Sequence, residues 1–344
     1  RAAAGAGVAA AVALGAVVVV DLPGDAPERP VVTSSVGGAV AYPNPIMQEA
    51  SFGWLPQGYR LTGLIGDTQD RTSVTFHAGG STAGLDLAVF DRGPEPMIHK
   101  LPGARPGNRT PAPPVNGRPA FWTIKPGGDG SEQVPAALRW EFAPGRWALL
   151  TVNEDRLATV DTVYRVARGV RFGTAKPATF PVTVKGLPAG LRVYRSIRTL
   201  EQARTQGGRP APLGDPTVSF SLGTAKGDGG DQDDLTITVT PKDPAALRAL
   251  GTNTKIDGHP AYDSALGAPT GTGKRHYVRP GDTAKRQAGQ RLRVFGAHGH
   301  DVTINASGEP LRLLQKSGGL TALYKRITFL GENPADWTTD PLIR

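Results

Sequence analysis

One phrase occurs twice in this chain. Residues 115–122 read VNGRPAFW, and residues 256–263 read IDGHPAYD. Each runs apolar, Asn or Asp, Gly, basic, Pro, Ala, aromatic. The dipeptides Asn116-Gly117 and Asp257-Gly258 are strong signals for a two-residue hairpin turn, whose two central residues both need positive φ. Pro119 and Pro260 lack a ladder donor and belong at the start or edge of a strand. A chain that repeats a turn-into-strand phrase repeats the structural unit around it.

The neighbouring segments repeat in the same order. LPQGYRL (residues 55–61) answers LPAGLRVY (187–194). TSVTF (72–76) and PTVSF (216–220) alternate apolar and polar residues, as do LDLAVF (85–90) and LTITVT (235–240), so all four predict half-buried strands. After the quoted phrases come residues 137–152 and 291–305, each reading as two strands around a Gly turn. Each unit then closes on a helical segment. Over 155–170, Leu157, Val160, Val163, Tyr164, Ala167 and Val170 form one apolar stripe at spacings of three and four. In the second copy, 309–329, Gly318 and Gly319 interrupt the pattern, and the part from Leu320 to Ile327 is expected to be helical.

At the N-terminus, residues 2–20 form an uncharged run of 19. As a helix it would span roughly 28 Å, about one hydrocarbon core. With Arg1 before it and Asp21 after it, the run predicts a membrane anchor with the remainder outside the cell, the rival being a cleaved signal peptide. Residues 22–50 have the Pro-, Gly- and Ser-rich character of a tether. The expected architecture is α+β: a transmembrane helix (1–21), a linker (22–50), two repeats (51–176 and 177–335) and a tail (336–344). Each repeat is expected to be a curved antiparallel sheet covered by its C-terminal helix. Localisation follows as a single-pass cell-membrane protein with the C-terminal part extracytoplasmic.

Candidate chemistry is sparse. The chain has no Cys, which excludes disulfides, thiol nucleophiles and thiolate metal sites. His298 and His300, with Asp301 beside them, share a strand spacing that suits a metal, but they fall in a predicted turn and no further ligand is evident. GDGGDQDD (227–234) gathers carboxylates without the ligand order of a calcium loop and reads as a solvated hairpin connection. No metal or cofactor is expected. Formal net charge is +9, and residues 271–293 concentrate it in Lys274, Arg275, Arg279, Lys285 and Arg286, a candidate contact for anionic surfaces. Nucleic acid is not an expected partner, because only Tyr277 interleaves with these charges and export would place them outside the cell. Trp54, Trp122, Trp140 and Trp147 all fall in the first repeat. Trp140 reads as core, whereas Trp54 and Trp122 are candidate ligand contacts.

The order of Leu55, Pro56, Gly58, Tyr59, Asn116, Gly117, Pro119, Ala120, Trp140, Glu141 and Leu157 resembles extracytoplasmic sensor-type domains of bacterial membrane-tethered regulators, including anti-sigma-factor-like ectodomains. More loosely it resembles the MucB/RseB and LolA-like fold. The likeness covers residues 51–173 and is weaker over 185–331, where Val294 and Phe295 replace Trp140 and Glu141. It implies a non-enzymatic sensing or binding role toward an envelope ligand or protein partner, and brings no catalytic residues. The alternative is an exported carrier that holds a lipid or acyl chain between sheet and helix.

Overall fold

The computed structural model describes residues 44–68, 72–79, 84–96, 109–126, 133–202, 213–224, 234–266 and 289–344. The first repeat runs β1 (Met47–Phe52), β2 (Leu61–Asp67), β3 (Thr72–Gly79), β4 (Gly84–Phe90), β5 (Thr110–Val115), β6 (Arg118–Pro126), β7 (Gln133–Ala143), β8 (Arg146–Val152), α1 (Val160–Gly169) and β9 (Val170–Pro177). The second runs β10 (Val182–Lys185), β11 (Leu191–Gln202), β12 (Leu213–Thr224), β13 (Asp234–Pro241), α2 (Pro244–Leu250), β14 (Thr254–Ile256), β15 (His259–Asp263), β16 (Gln290–Ala297), β17 (His300–Ala306), α3 (Gly308–Gln315), α4 (Gly319–Tyr324) and β18 (Ile327–Phe329). A short β19 (Leu342–Ile343) ends the chain as described.

Fourteen of these strands make one antiparallel sheet, ordered β14-β15-β16-β17-β13-β12-β11-β2-β3-β4-β8-β7-β6-β5. Outward from its centre, each half has the same topology. The halves join where β2 pairs antiparallel with β11, Ile65 opposite Ile197. The LP-x-G motifs align at an offset of 132 (187 − 55), and Ile197 follows Ile65 by the same 132 (197 − 65). Equivalent residues therefore face each other, and an approximate two-fold axis passes between them. Left apart, β2 and β11 would each expose a row of unpaired N–H and C=O groups; pairing removes both edges. The two outer edges are blunted differently. β5 carries Pro111, Pro113 and Pro114, and β14 has only three residues.

Smaller ribbons flank the main sheet in matching register. β1 pairs with β9 (Ala50 opposite Phe172), and β10 pairs with β18 (Val182 opposite Phe329), with β19 added in parallel beside β10. α1 packs on β5, β7 and β8. Its N-cap Thr159 accepts a hydrogen bond from Thr162 N, and it buries Val163, Tyr164, Val166 and Ala167. The helix ends align at an offset of 157 (320 − 163): Leu320, Leu323 and Tyr324 of α4 are likewise buried. One apolar cluster runs through both repeats. Phe180 and Phe220, both essentially inaccessible, meet with ring centroids 5.1 Å apart.

These findings correct the expected fold class. The two repeats do not form separate helix-covered sheets; they share one sheet and one core, and strand dominates, the longest described helix having ten residues. They also correct the membrane assignment: among the described residues no helix is long and apolar enough to cross a membrane. The run 2–20, on which the single-pass topology and extracytoplasmic placement rested, lies outside the described residues. Locally, both quoted phrases make the predicted turns, with φ of 49° at Asn116 and Asp257 and 78° and 81° at the following glycines. Val160, assigned to the buried stripe, is 52% exposed, because the helix begins there. In the second copy the segment before Gly318 is helical as well, so the two glycines separate two short helices.

Candidate functional site

The LP-x-G loop and the end of α1 meet at Trp54. Gly169 lies so close that a Cβ there would come within 3.2 Å of the Trp54 backbone and Cβ. The indole is half-buried, and the Arg165 guanidinium stacks over it at 4.2 Å from the ring centroid. Three residues on, along the same face of α1, the Arg168 guanidinium stands 5.0 Å from the Tyr164 ring. Arg171 emerges on β9 beside Gly53, its Nε 3.0 Å from where a Cβ on Gly53 would sit. All three arginines are exposed, and among the described residues none pairs with a carboxylate. Stacking fixes the guanidinium planes of Arg165 and Arg168 and leaves their in-plane N–H donors for an acceptor, the geometry that suits carboxylates.

The LP-x-G loop that follows Trp54 is tied down by side-chain hydrogen bonds. The Tyr59 hydroxyl donates to Glu154 Oε2 at 2.5 Å and accepts from Arg156 Nη2 at 2.7 Å, tying the LP-x-G loop to the segment after β8. Burial, then the neighbouring Glu154, pushes the Tyr59 hydroxyl above its ordinary pKa. Beneath α1, the Tyr164 hydroxyl donates to the Pro113 carbonyl, and burial raises its pKa too. Trp122 meets Tyr164 edge-on at 5.3 Å and is only 7% exposed. It is therefore core, not the partly exposed contact expected, and packs against Tyr164 of α1. Of the two candidate tryptophans, only Trp54 reaches the surface.

The other candidates separate. Lys274, Arg275, Arg279, Lys285 and Arg286 lie outside the described residues, as do His99 and His276. The two feet of their segment are joined. Gln290 Nε2 donates to Asp263 Oδ1 at 3.0 Å, and Arg291 N donates to Ser264 Oγ at 2.8 Å. Arg293 is not a free surface charge, because it donates to the buried Asp301 at 3.1 Å. His298 and His300 both pack on the Phe329 ring, at 5.2 and 5.3 Å, as part of a hairpin-to-ribbon contact. Among the described residues no group of three or more His, Asp or Glu side chains is arranged to hold a metal. Of the acidic run 227–234 only Asp234 is described.

No family model matches the chain, and no curated protein matches it in sequence. Arg165 and Arg168 were visible in the sequence as the polar side of the helical stripe. The stacking of Arg165 on Trp54, more than a hundred residues earlier, was not.

Proposed function

We propose that this chain is a non-enzymatic binding protein of the sensor type, and that its working surface is the Trp54 face of the first repeat. The observation that carries the reading is the Trp54–Arg165–Arg168 arrangement. It combines a partly exposed aromatic ring with cations that have no carboxylate partner among the described residues, next to the Tyr59–Glu154–Arg156 cluster. Aromatic and Arg side chains together are the residues that most often anchor binding interfaces. The positive balance of the chain favours an anionic ligand and would speed its encounter. The carrier alternative draws less support, since Trp122 of the sheet and Tyr164 of α1 pack edge-on where an acyl chain would lie.

The test is a panel of probes titrated against the full chain by calorimetry and tryptophan fluorescence: an acidic oligopeptide, a sulfated polysaccharide, anionic-lipid vesicles and a neutral oligosaccharide. At least one anionic probe should bind, and Trp54→Ala should weaken that binding about tenfold. If no probe binds, or every bound probe is indifferent to Trp54→Ala, the reading fails.

A further inference from the structure

The two repeats place equivalent residues at the ends of their closing helices, and there they differ in charge. The turn phrase aligns Asn116 with Asp257, each at φ 49°. The helix offset of 157 aligns Arg168 with Lys325 (325 − 168), and the loop offset of 132 aligns Trp54 with Gly186 (186 − 54). In the second repeat Lys325 Nζ lies 3.0 Å from Asp257 Oδ1. Its neighbour Arg326 donates to the Gly186 carbonyl at 3.0 Å and to the Ser317 carbonyl at 2.9 Å, lying across the place where a side chain on residue 186 would project. That helix end is closed by the chain's own groups. In the first repeat the carboxylate is replaced by the neutral Asn116, whose Nδ2 donates to the Arg168 carbonyl at 3.4 Å. Arg168 keeps its charge, and Trp54 stands where the second repeat has no side chain.

We propose that this face binds an acidic peptide segment of a protein partner, and that Arg168 takes from it the carboxylate that Asp257 supplies internally in the second repeat. This rests on the binding role proposed above and names its ligand. The second repeat shows the side-chain carboxylate of a turn residue, Asp257, reaching the helix-end cation from this same turn. Arg165 and Arg168, three residues apart on one helix face, have Cβ atoms about 5–6 Å apart. Alternate side chains of an extended peptide stand about 6.6 Å apart, so two acidic residues at that spacing can meet both guanidiniums. Arg171 extends the cationic row, and the exposed part of Trp54, beside Arg165, offers apolar contact to the next side chain on that same face of the peptide, two positions beyond the acidic pair.

The deciding variant is Asn116→Asp. It installs the second repeat's carboxylate at a backbone position that Asp257 already occupies with the same φ, so folding should be preserved, and an unchanged thermal midpoint checks this. The probe is a ten-residue Glu/Asp peptide with its Gln/Asn counterpart as control, titrated against the full chain at moderate salt. Asn116→Asp should weaken acidic-peptide binding roughly three- to tenfold, and Arg168→Glu by at least as much. Two results would overturn the proposal: equal affinity in the native chain and Asn116→Asp, or tighter binding of sulfated polysaccharide or anionic vesicles than of the peptide with the same dependence on residue 116. If Trp54→Ala weakens a probe that Asn116→Asp leaves untouched, the face binds but the carboxylate-reading role of Arg168 is wrong. If neither variant alters any binding, the binding role of the face falls with it.

Discussion

At the scale of single residues, tight tolerances sit where the chain crosses itself. Gly66 is the clearest case: a Cβ there would lie 1.8 Å from the Pro45 carbonyl oxygen, and Ser196 Oγ donates to that same oxygen at 2.6 Å. The segment before β1 is thus seated on the central strand pair by one residue from each repeat. Gly66→Ala should lower stability by roughly 2–4 kcal/mol, since the obstacle is backbone, and Ser196→Ala by about 1 kcal/mol. Urea denaturation of both variants checks this, and a neutral Gly66→Ala would show that the crossing is not held as described. Nothing in the sequence marks Gly66, because a glycine in a strand says only that some backbone comes near. Trp54 and Trp122 make the same point. They are alike in sequence, yet one carries an arginine at the surface and the other is packed under a helix.

At the scale of elements, local rules were readable where they acted alone. The Asn-Gly and Asp-Gly turns, the alternating strands and the apolar face of α1 follow from backbone sterics and periodicity. The short α2 was missed although its signal is present: Asp243 caps it through Ala245 N at 2.8 Å, and Pro244 opens it. β5 shows an element shaped by what it must avoid. As the sheet's last strand it faces solvent, and its prolines remove donors that another chain could pair with. Replacing Pro111, Pro113 and Pro114 together with Thr should therefore raise concentration-dependent self-association. Size-exclusion chromatography with light scattering reads this directly, and a triple variant that stays as monodisperse as the native chain would assign the edge protection elsewhere.

For the whole described unit, the shared sheet and core imply shared fate. Leu87 in the first repeat and Leu320 in α4 belong to one apolar cluster, joined through the β2–β11 pairing and the Phe180–Phe220 contact. Calorimetry should show one unfolding transition for residues 42–344. Leu87→Ala and Leu320→Ala, each costing about 2–5 kcal/mol, should move that same transition. Two resolved transitions, each sensitive to only one variant, would mean that the repeats unfold independently despite their common sheet.

The sequence by itself determined that a unit is duplicated, where its hairpins turn and which stripe of α1 is buried, because these depend on residues within one or two turns of each other. Only the tertiary structure decided that the halves fuse along β2 and β11: an open strand edge is satisfied by any partner strand, and no periodicity names which one. Tertiary structure also decided that, among the described residues, one helix-end cation meets a carboxylate and the other does not. That outcome depends on residues 54, 116, 165 and 168 converging, and on comparing them with residues 186, 257 and 325, positions far apart in the chain whose charges mean little until the fold brings them together.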